Sequence, residues 1–308
     1  MRIDVVGLRK CYGQVEALAD VTLRAGPGRV LGVLGHNGAG KTTLVDILAT
    51  RTLPTAGTAR VCGFDVVRNP RQVRRVIGVT GQATAVDGAL PGRDNLVLVA
   101  RLLGANPRQA GDRAEELIEA FGLGDVAGRP AATYSGGLLR RLDLAMSLVG
   151  RPVVLFLDEP STGLDPVGRT ELWRLVGDLA ADGTTVVLTT QYLDEADELA
   201  TDVVVLGAGR VVASGTPAQL KSAIGTRTAT VRFADDRTAV SAAGLFSRVG
   251  LTAAPLERQV TVSLAAAADV TTVVRALDTV GIEPADLTVA EPTLTDVYLA
   301  LHREQGVR

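Results

Sequence analysis

The sequence predicts an α/β fold built on a parallel sheet, followed by a small α+β domain. Residues 30–34, 153–157 and 184–189 are short apolar runs that stop at polar or glycine-rich turns, as strands buried on both faces do. The first runs directly into Gly35-His36-Asn37-Gly38-Ala39-Gly40-Lys41-Thr42-Thr43 and then an amphipathic helix reaching about Ala49. Between the other two, residues 166–181 read as a helix, with Asp165 placed to cap it and Pro166 in its first turn, which completes a βαβ unit.

The remaining elements follow in order. Residues 2–8 and 17–24 alternate as strands do, and 58–62 and 76–80 are further strand-like pieces. In residues 112–121 the apolar side chains Ala114, Leu117, Ile118 and Phe121 recur at helical spacing and mark one buried face. Residues 202–206 and 210–214, joined by Gly207-Ala208-Gly209, predict a hairpin that closes the first domain. The helical period fades across residues 221–228, so the domains are expected at 1–222 and 223–308. The second parses as strand, helix, strand, strand, helix, strand and a last helix over 293–303, an α+β domain for which a ferredoxin-like sandwich is the expectation.

Composition excludes several classes. With 308 residues and 46% hydrophobic content the chain can bury a sizeable core. Its 32 basic and 34 acidic residues leave a net charge of -2, which gives no broad attraction to nucleic acid, and none is expected as a partner. Cys11 and Cys62 form no CxxC, and His36 and His302 stand far apart, so ordinary buried thiols are expected rather than disulfides or a metal cluster. The apolar runs fall well short of the roughly 18 residues that a membrane span needs. No basic head with an apolar stretch opens the chain, and a cytoplasmic location is expected.

The chemistry concentrates in three places. Residues 35–42 fit G-x-x-x-x-G-K-[ST], in which glycines let backbone N–H groups wrap phosphates and a helix start adds positive potential. Lys41 is then expected to reach the β- and γ-phosphates, Thr42 to ligate Mg²⁺ and Thr43 to add a phosphate contact. The run Val153-Val154-Leu155-Phe156-Leu157-Asp158-Glu159 reads as a strand beside that of the glycine loop. Its end offers Asp158 for a metal or water-bridged contact and Glu159 to polarise an attacking water; a solvated turn is the plain alternative. Tyr134-Ser135-Gly136-Gly137-Leu138-Leu139-Arg140-Arg141 opens a helix with a second set of free N–H groups.

That third segment is similar to the signature motif of ABC ATPases, and it lies between loop and acidic strand in the order of that family. The resemblance covers about residues 1–220. It implies a P-loop NTPase with ABC-type antiparallel β and helical subdomains. ATP is the implied ligand, held by Tyr12, which stacks on adenine, by Gly35, His36, Asn37, Gly38, Ala39, Gly40, Lys41, Thr42 and Thr43, and by Ser135, Gly136 and Gly137. Mg²⁺ would sit at Thr42, Gln82 and Asp158, with Gln82 in the Q-loop; Glu159, Gln191 and Lys41 would be catalytic. Ser161-Thr162-Gly163-Leu164-Asp165 resembles the D-loop that crosses the dimer interface.

Two residues depart from the family pattern. Leu138 stands where the signature usually has glutamine, and Gln191 where the switch histidine is usual. A glutamine amide donates a hydrogen bond but cannot carry a proton charge, so slow turnover is expected. Thr189-Thr190-Gln191-Tyr192-Leu193-Asp194-Glu195-Ala196-Asp197, Arg140-Arg141-Leu142-Asp143 and the tail Pro292-Thr293-Leu294-Thr295-Asp296-Val297-Tyr298-Leu299 resemble the daunorubicin-resistance subfamily. That likeness implies ATP hydrolysis for a separately encoded transmembrane permease, export of a hydrophobic drug, antibiotic or lipid-like compound, a homodimer in the ATP-bound state and a place on the inner face of the membrane. For the tail, a plain amphipathic helix and a regulatory or dimer contact stay open. Competing readings are a soluble ABC ATPase acting on DNA or ribosomes, and a nucleotide sensor without productive hydrolysis. The first lacks the second cassette, coiled coil or basic extension that such proteins usually carry.

Overall fold

Alternation of burial explains the central sheet. In β7 (Val154–Asp158) the side chains of Val154 and Phe156 enter one apolar cluster while Leu155 and Leu157 enter another. The strand is therefore apolar throughout, and full burial of each large side chain contributes roughly 1.5–3 kcal/mol. The computed structural model describes residues 1–81, 85–224, 227–266 and 268–306. It divides into two units, 1–217 and 218–308.

The first unit contains an antiparallel sheet of β1 (Ile3–Tyr12), β2 (Val15–Ala25), β4 (Ala56–Val61) and β5 (Phe64–Asp65), in the order β2-β1-β4-β5. Its second sheet runs β10 (Arg210–Gly215), β9 (Asp202–Gly207), β3 (Val30–Leu34), β8 (Thr185–Thr190), β7 and β6 (Ile77–Thr80). The strands from β9 to β6 pair parallel, and β10 returns antiparallel through the predicted hairpin. Ala208 and Gly209 both have positive φ at that turn, 46° and 74°, as a two-residue hairpin of this hand requires.

Between strands lie α1 (Lys41–Leu48), α2 (Pro70–Val76), α3 (Gly92–Leu102), α4 (Pro107–Ala120), α5 (Gly136–Ser147), α6 (Pro166–Ala181), α7 (Leu193–Leu199) and α8 (Pro217–Ile224). Their starts are chemically marked. The Asn106 side chain accepts from Gln109 N at 2.9 Å while the Gln109 side chain accepts from Asn106 N at 3.0 Å, a reciprocal cap. Asp165 caps α6 by accepting from Gly168 N at 2.7 Å, with Pro166 in the first turn as expected. The face of α4 that the spacing marked is the buried one: Ala114, Leu117 and Ile118 pack with Leu96 of α3 and Leu142 of α5.

Two expectations are corrected. The strand beside β3 is β8, and β7 lies one place further out; both strands carry an apolar run buried on both faces, so the runs alone could not rank them. The thiols are not buried: Cys11 is exposed and Cys62 half-buried. Cys11 falls in the last turnward residues of β1, past the register shifts against β2, where neither face is covered.

The second unit takes in α8 from residue 218 onward and then β11 (Arg227–Arg232), α9 (Asp236–Arg248), β12 (Thr252–Leu256), β13 (Gln259–Leu264), α10 (Ala268–Thr279), β14 (Asp286–Ala290) and α11 (Leu294–Gly306). Its sheet is antiparallel in the order β12-β13-β11-β14. One face buries Ala229, Val231, Val260, Val262 and Leu264 against Phe246 of α9 and Val273 and Leu277 of α10. Among the described residues no helix is long and apolar enough to cross a membrane.

Candidate functional site

The site starts at the C-terminal end of β3, where residues 35–40 turn into α1. Gly40 has φ 103°, and a Cβ there would stand 2.6 Å from Ala17 O and 2.7 Å from Leu18 Cδ2, so only glycine lets the loop close on β2. Ala39 is fully buried and belongs to the core under the loop. The loop therefore presents backbone rather than side chains at the first turn of α1, where N–H groups have no partner within the helix.

Lys41 is only 5% exposed. Its Nζ donates to Gly35 O at 2.6 Å and to His36 O at 3.2 Å, and lies 3.8 Å from Glu159 Oε1. Burial pushes the ammonium below the usual lysine range, and the nearby Glu159 and Asp158 carboxylates oppose that shift. A desolvated cation at the first turn of a helix, where backbone N–H groups lack partners within the helix, suits an anion. The surrounding cleft, of about 520 Å³, is lined by Tyr12, Ala17, His36, Asn37, Gly38, Gly40, Lys41, Thr42, Thr43 and Glu159. At its rim the Tyr12 ring is half exposed with Lys10 Nζ 4.6 Å from its centroid, which leaves one aromatic face for a flat ligand.

β7 ends at Asp158, buried at 4% exposure. Thr42 Oγ1 donates to Asp158 Oδ1 at 3.5 Å, and the Thr189 hydroxyl of β8 donates to the same oxygen. Hydroxyl and carboxylate oxygens side by side suit a small hard cation that draws its other ligands from phosphate and water. Among the described residues no group of three or more His, Cys, Asp or Glu side chains could hold a metal. Glu159 follows with φ 50°, an uncommon backbone for a residue other than glycine. Its N–H donates to Thr189 O at 3.0 Å and Thr189 Oγ1 at 3.1 Å, so β8 holds the turn that aims this carboxylate.

The sequence-named residues do not all converge. Ser135, Gly136 and Gly137, at the start of α5, line a different cavity of about 400 Å³ with Gly163, Leu164 and Asp165. Ser135 Oγ accepts from Leu138 N at 3.3 Å and so caps its own helix. A third cavity, of about 370 Å³, is bounded by Gly136, Arg140, Asp143, Glu159, Thr162 and Gly163; Glu159 thus faces both it and the Lys41 cleft. Gln191 is exposed just beyond β8 and lines none of the three. Gln82 lies outside the described residues.

Sequence reasoning missed the roles of four residues. Thr189, at 0% exposure, ties Asp158 to Glu159; its signal was a hydroxyl at the end of an otherwise apolar strand. Glu195 is also fully buried and accepts from Trp173 Nε1 at 3.2 Å. Burial raises its pKa above the usual carboxylate range, with the hydrogen bond from Trp173 acting against that rise. Arg140 and Asp143 form an ion pair on α5, with Asp143 buried and Arg140 half-buried.

Comparisons with known proteins agree with this geometry. Residues 18–162 match the ABC transporter family model. The chain is 47% identical over 300 residues to a daunorubicin resistance ATP-binding protein of Streptomyces coeruleorubidus, covering 97% of this chain and 95% of the relative. It is 50% identical over 227 residues to the doxorubicin resistance ATP-binding protein of Mycobacterium tuberculosis, covering 73% of this chain and 69% of that one. Among solved structures, the ATP-binding subunit of an ABC transporter aligns with a TM-score of 0.66 at 25% identity, over 72% of this chain and 93% of the other. An ATP-binding cassette solved as a dimer with ADP and phosphate aligns with a TM-score of 0.64 at 23% identity, over 70% and 98%. The glycine loop on β3, the acidic end of β7 and near full-length likeness to such relatives place the chain in the family of ABC transporter ATP-binding proteins, ATPases that couple hydrolysis to transport, within the daunorubicin-resistance group.

Proposed function

We propose that two copies of this chain clamp two ATP molecules and drive a separately encoded transmembrane permease that exports a hydrophobic drug, antibiotic or lipid-like compound. The observation that carries the reading is the division of anion-binding groups. Lys41, Thr42 and Glu159 share one cleft, while the Ser135-Gly136-Gly137 helix end faces another cavity of the same unit. A second copy, turned head to tail, brings that helix end over the γ-phosphate.

In this reading the N–H groups of residues 35–43 hold the phosphates, Lys41 neutralises the β- and γ-oxygens, and Tyr12 stacks on the base. Thr42, Asp158 and Gln82 would hold Mg²⁺, which would neutralise phosphate charge when bound. Glu159 orients and polarises the attacking water, and the Gln191 amide donates to the γ-phosphate after the copies close. The names of the relatives support the cargo class, and membership of the ABC transporter family supports docking to the cytoplasmic face of the membrane through a permease. For the second unit, a ferredoxin-like sandwich is supported by its β-α-β-β-α-β order and antiparallel sheet; the limits of 1–222 and 223–308 fall within α8, close to the division at 217/218.

The decisive experiment replaces Glu159 by glutamine. In MgATP the variant is expected to accumulate as a dimer by light scattering while phosphate release falls at least a hundredfold; a monomer with wild-type turnover refutes the assignment.

A further inference from the structure

Arg140 and Asp143 stand one turn apart on α5, 3.1 Å from guanidinium to carboxylate, with side chains 14% and 4% exposed. Neither lines the Lys41 cleft. Arg140 Nε donates to Pro160 O at 2.8 Å, and Nη1 donates to Gly81 O at 3.3 Å. Asp143 Oδ1 accepts from Ala85 N at 3.2 Å. One ion pair therefore grips the backbone next to Glu159 and the two described residues that flank positions 82–84.

Such a pair is a poor device for stability alone, because two buried charges lose hydration that their attraction barely restores. Burial does lower the Arg140 pKa, and the Asp143 charge is the first to offset it, yet a guanidinium stays charged throughout the accessible range. Apolar residues would pack α5 as well. What they cannot supply is directed, charge-assisted bonding to three separate backbone segments.

We propose that Arg140 and Asp143 are positioning residues, a clamp that fixes the Glu159 turn relative to α5, so that the Ser135-Gly136-Gly137 helix end and the Glu159 carboxylate move as one piece. Neither touches substrate; both act through the backbone at Pro160, Gly81 and Ala85. The inference rests on the role of Glu159 proposed above.

The test uses the full-length chain and MgATP, with R140K, D143N, the apolar pair R140M/D143L and E159Q measured for kcat, KM, nucleotide Kd and Tm. R140K keeps the charge but loses the fork, and D143N keeps the shape but loses the charge. Each is expected to lower kcat tenfold or more while KM and Kd change less than twofold. The apolar pair is expected to recover Tm but not kcat. Recovery of kcat along with Tm, or wild-type kcat in both single variants, overturns the clamp. If E159Q is inactive while R140K and D143N turn over normally, the clamp alone fails; full turnover in E159Q overturns the role of Glu159 and the purpose of the clamp with it.

Discussion

The Thr189 hydroxyl donates to Asp158 Oδ1, the same oxygen that Thr42 Oγ1 approaches at 3.5 Å. One buried threonine thus sets which face of the Asp158 carboxylate is turned toward the cleft, and it also accepts from the Glu159 N–H at 3.1 Å. Thr189→Val keeps the shape and takes the buried hydroxyl away from Asp158, while the Glu159 N–H keeps its bond to the backbone oxygen of residue 189, a loss of about 1–3 kcal/mol. The Mg²⁺ concentration for half-maximal hydrolysis is expected to rise severalfold, and Thr189→Ser to restore it. A magnesium titration of the three proteins decides; equal midpoints disprove the link.

Gly40→Ala tests the loop without touching a charge. The added methyl meets Ala17 O at 2.6 Å on a backbone with φ 103°, so the loop must shift at a cost of about 1–3 kcal/mol. Urea unfolding is expected to show that loss, and nucleotide affinity to fall at least tenfold. Tight nucleotide binding at wild-type stability is the contrary result.

Gln191 gives a graded test of the switch position. Because it is exposed beyond β8, its substitution leaves the fold untouched and changes stability by under about 0.5 kcal/mol. Gln191→Ala is expected to lower kcat about tenfold at constant KM. Gln191→His is expected to raise it and to introduce a pH dependence near the ordinary histidine range. Three identical rate profiles remove this residue from the mechanism.

Glu195 predicts a pH dependence of stability with a definite sign. Its pKa is raised in the folded chain, chiefly by burial, so the folded state binds the proton more tightly than the unfolded one. Stability from this group is complete below the unfolded value, near 4.3 by the usual range for glutamate. It is lost as pH rises toward the folded value, by at most about 1.4 kcal/mol per pH unit. Glu195→Gln, which still accepts from Trp173, removes that slope. Urea unfolding across this window compares the two proteins, and identical slopes contradict the prediction.

The loop at residues 35–43, the carboxylates at the end of β7, the helix start at Ser135 and the cap at Asp165 were legible because each is a local pattern with a local cause. The neighbour relation of the strands was not. β7 and β8 are both buried along their whole length, and nothing in an apolar run says which lies against β3. Thr189 escaped notice for the same reason, since its importance comes from the strand beside it. Arg140 and Asp143 could be read as a helical i,i+3 pair, but their contacts with Gly81, Ala85 and Pro160 join segments far apart in sequence.

All six residues of β8 are buried, and the chain surfaces at Gln191, the next residue. Inside the strand any change disturbs packing on two faces, so variation there is penalised before it can alter rate. One step beyond, side chains are interchangeable as far as folding is concerned. A change at position 191 is therefore free of the folding cost that the same change would carry at position 190.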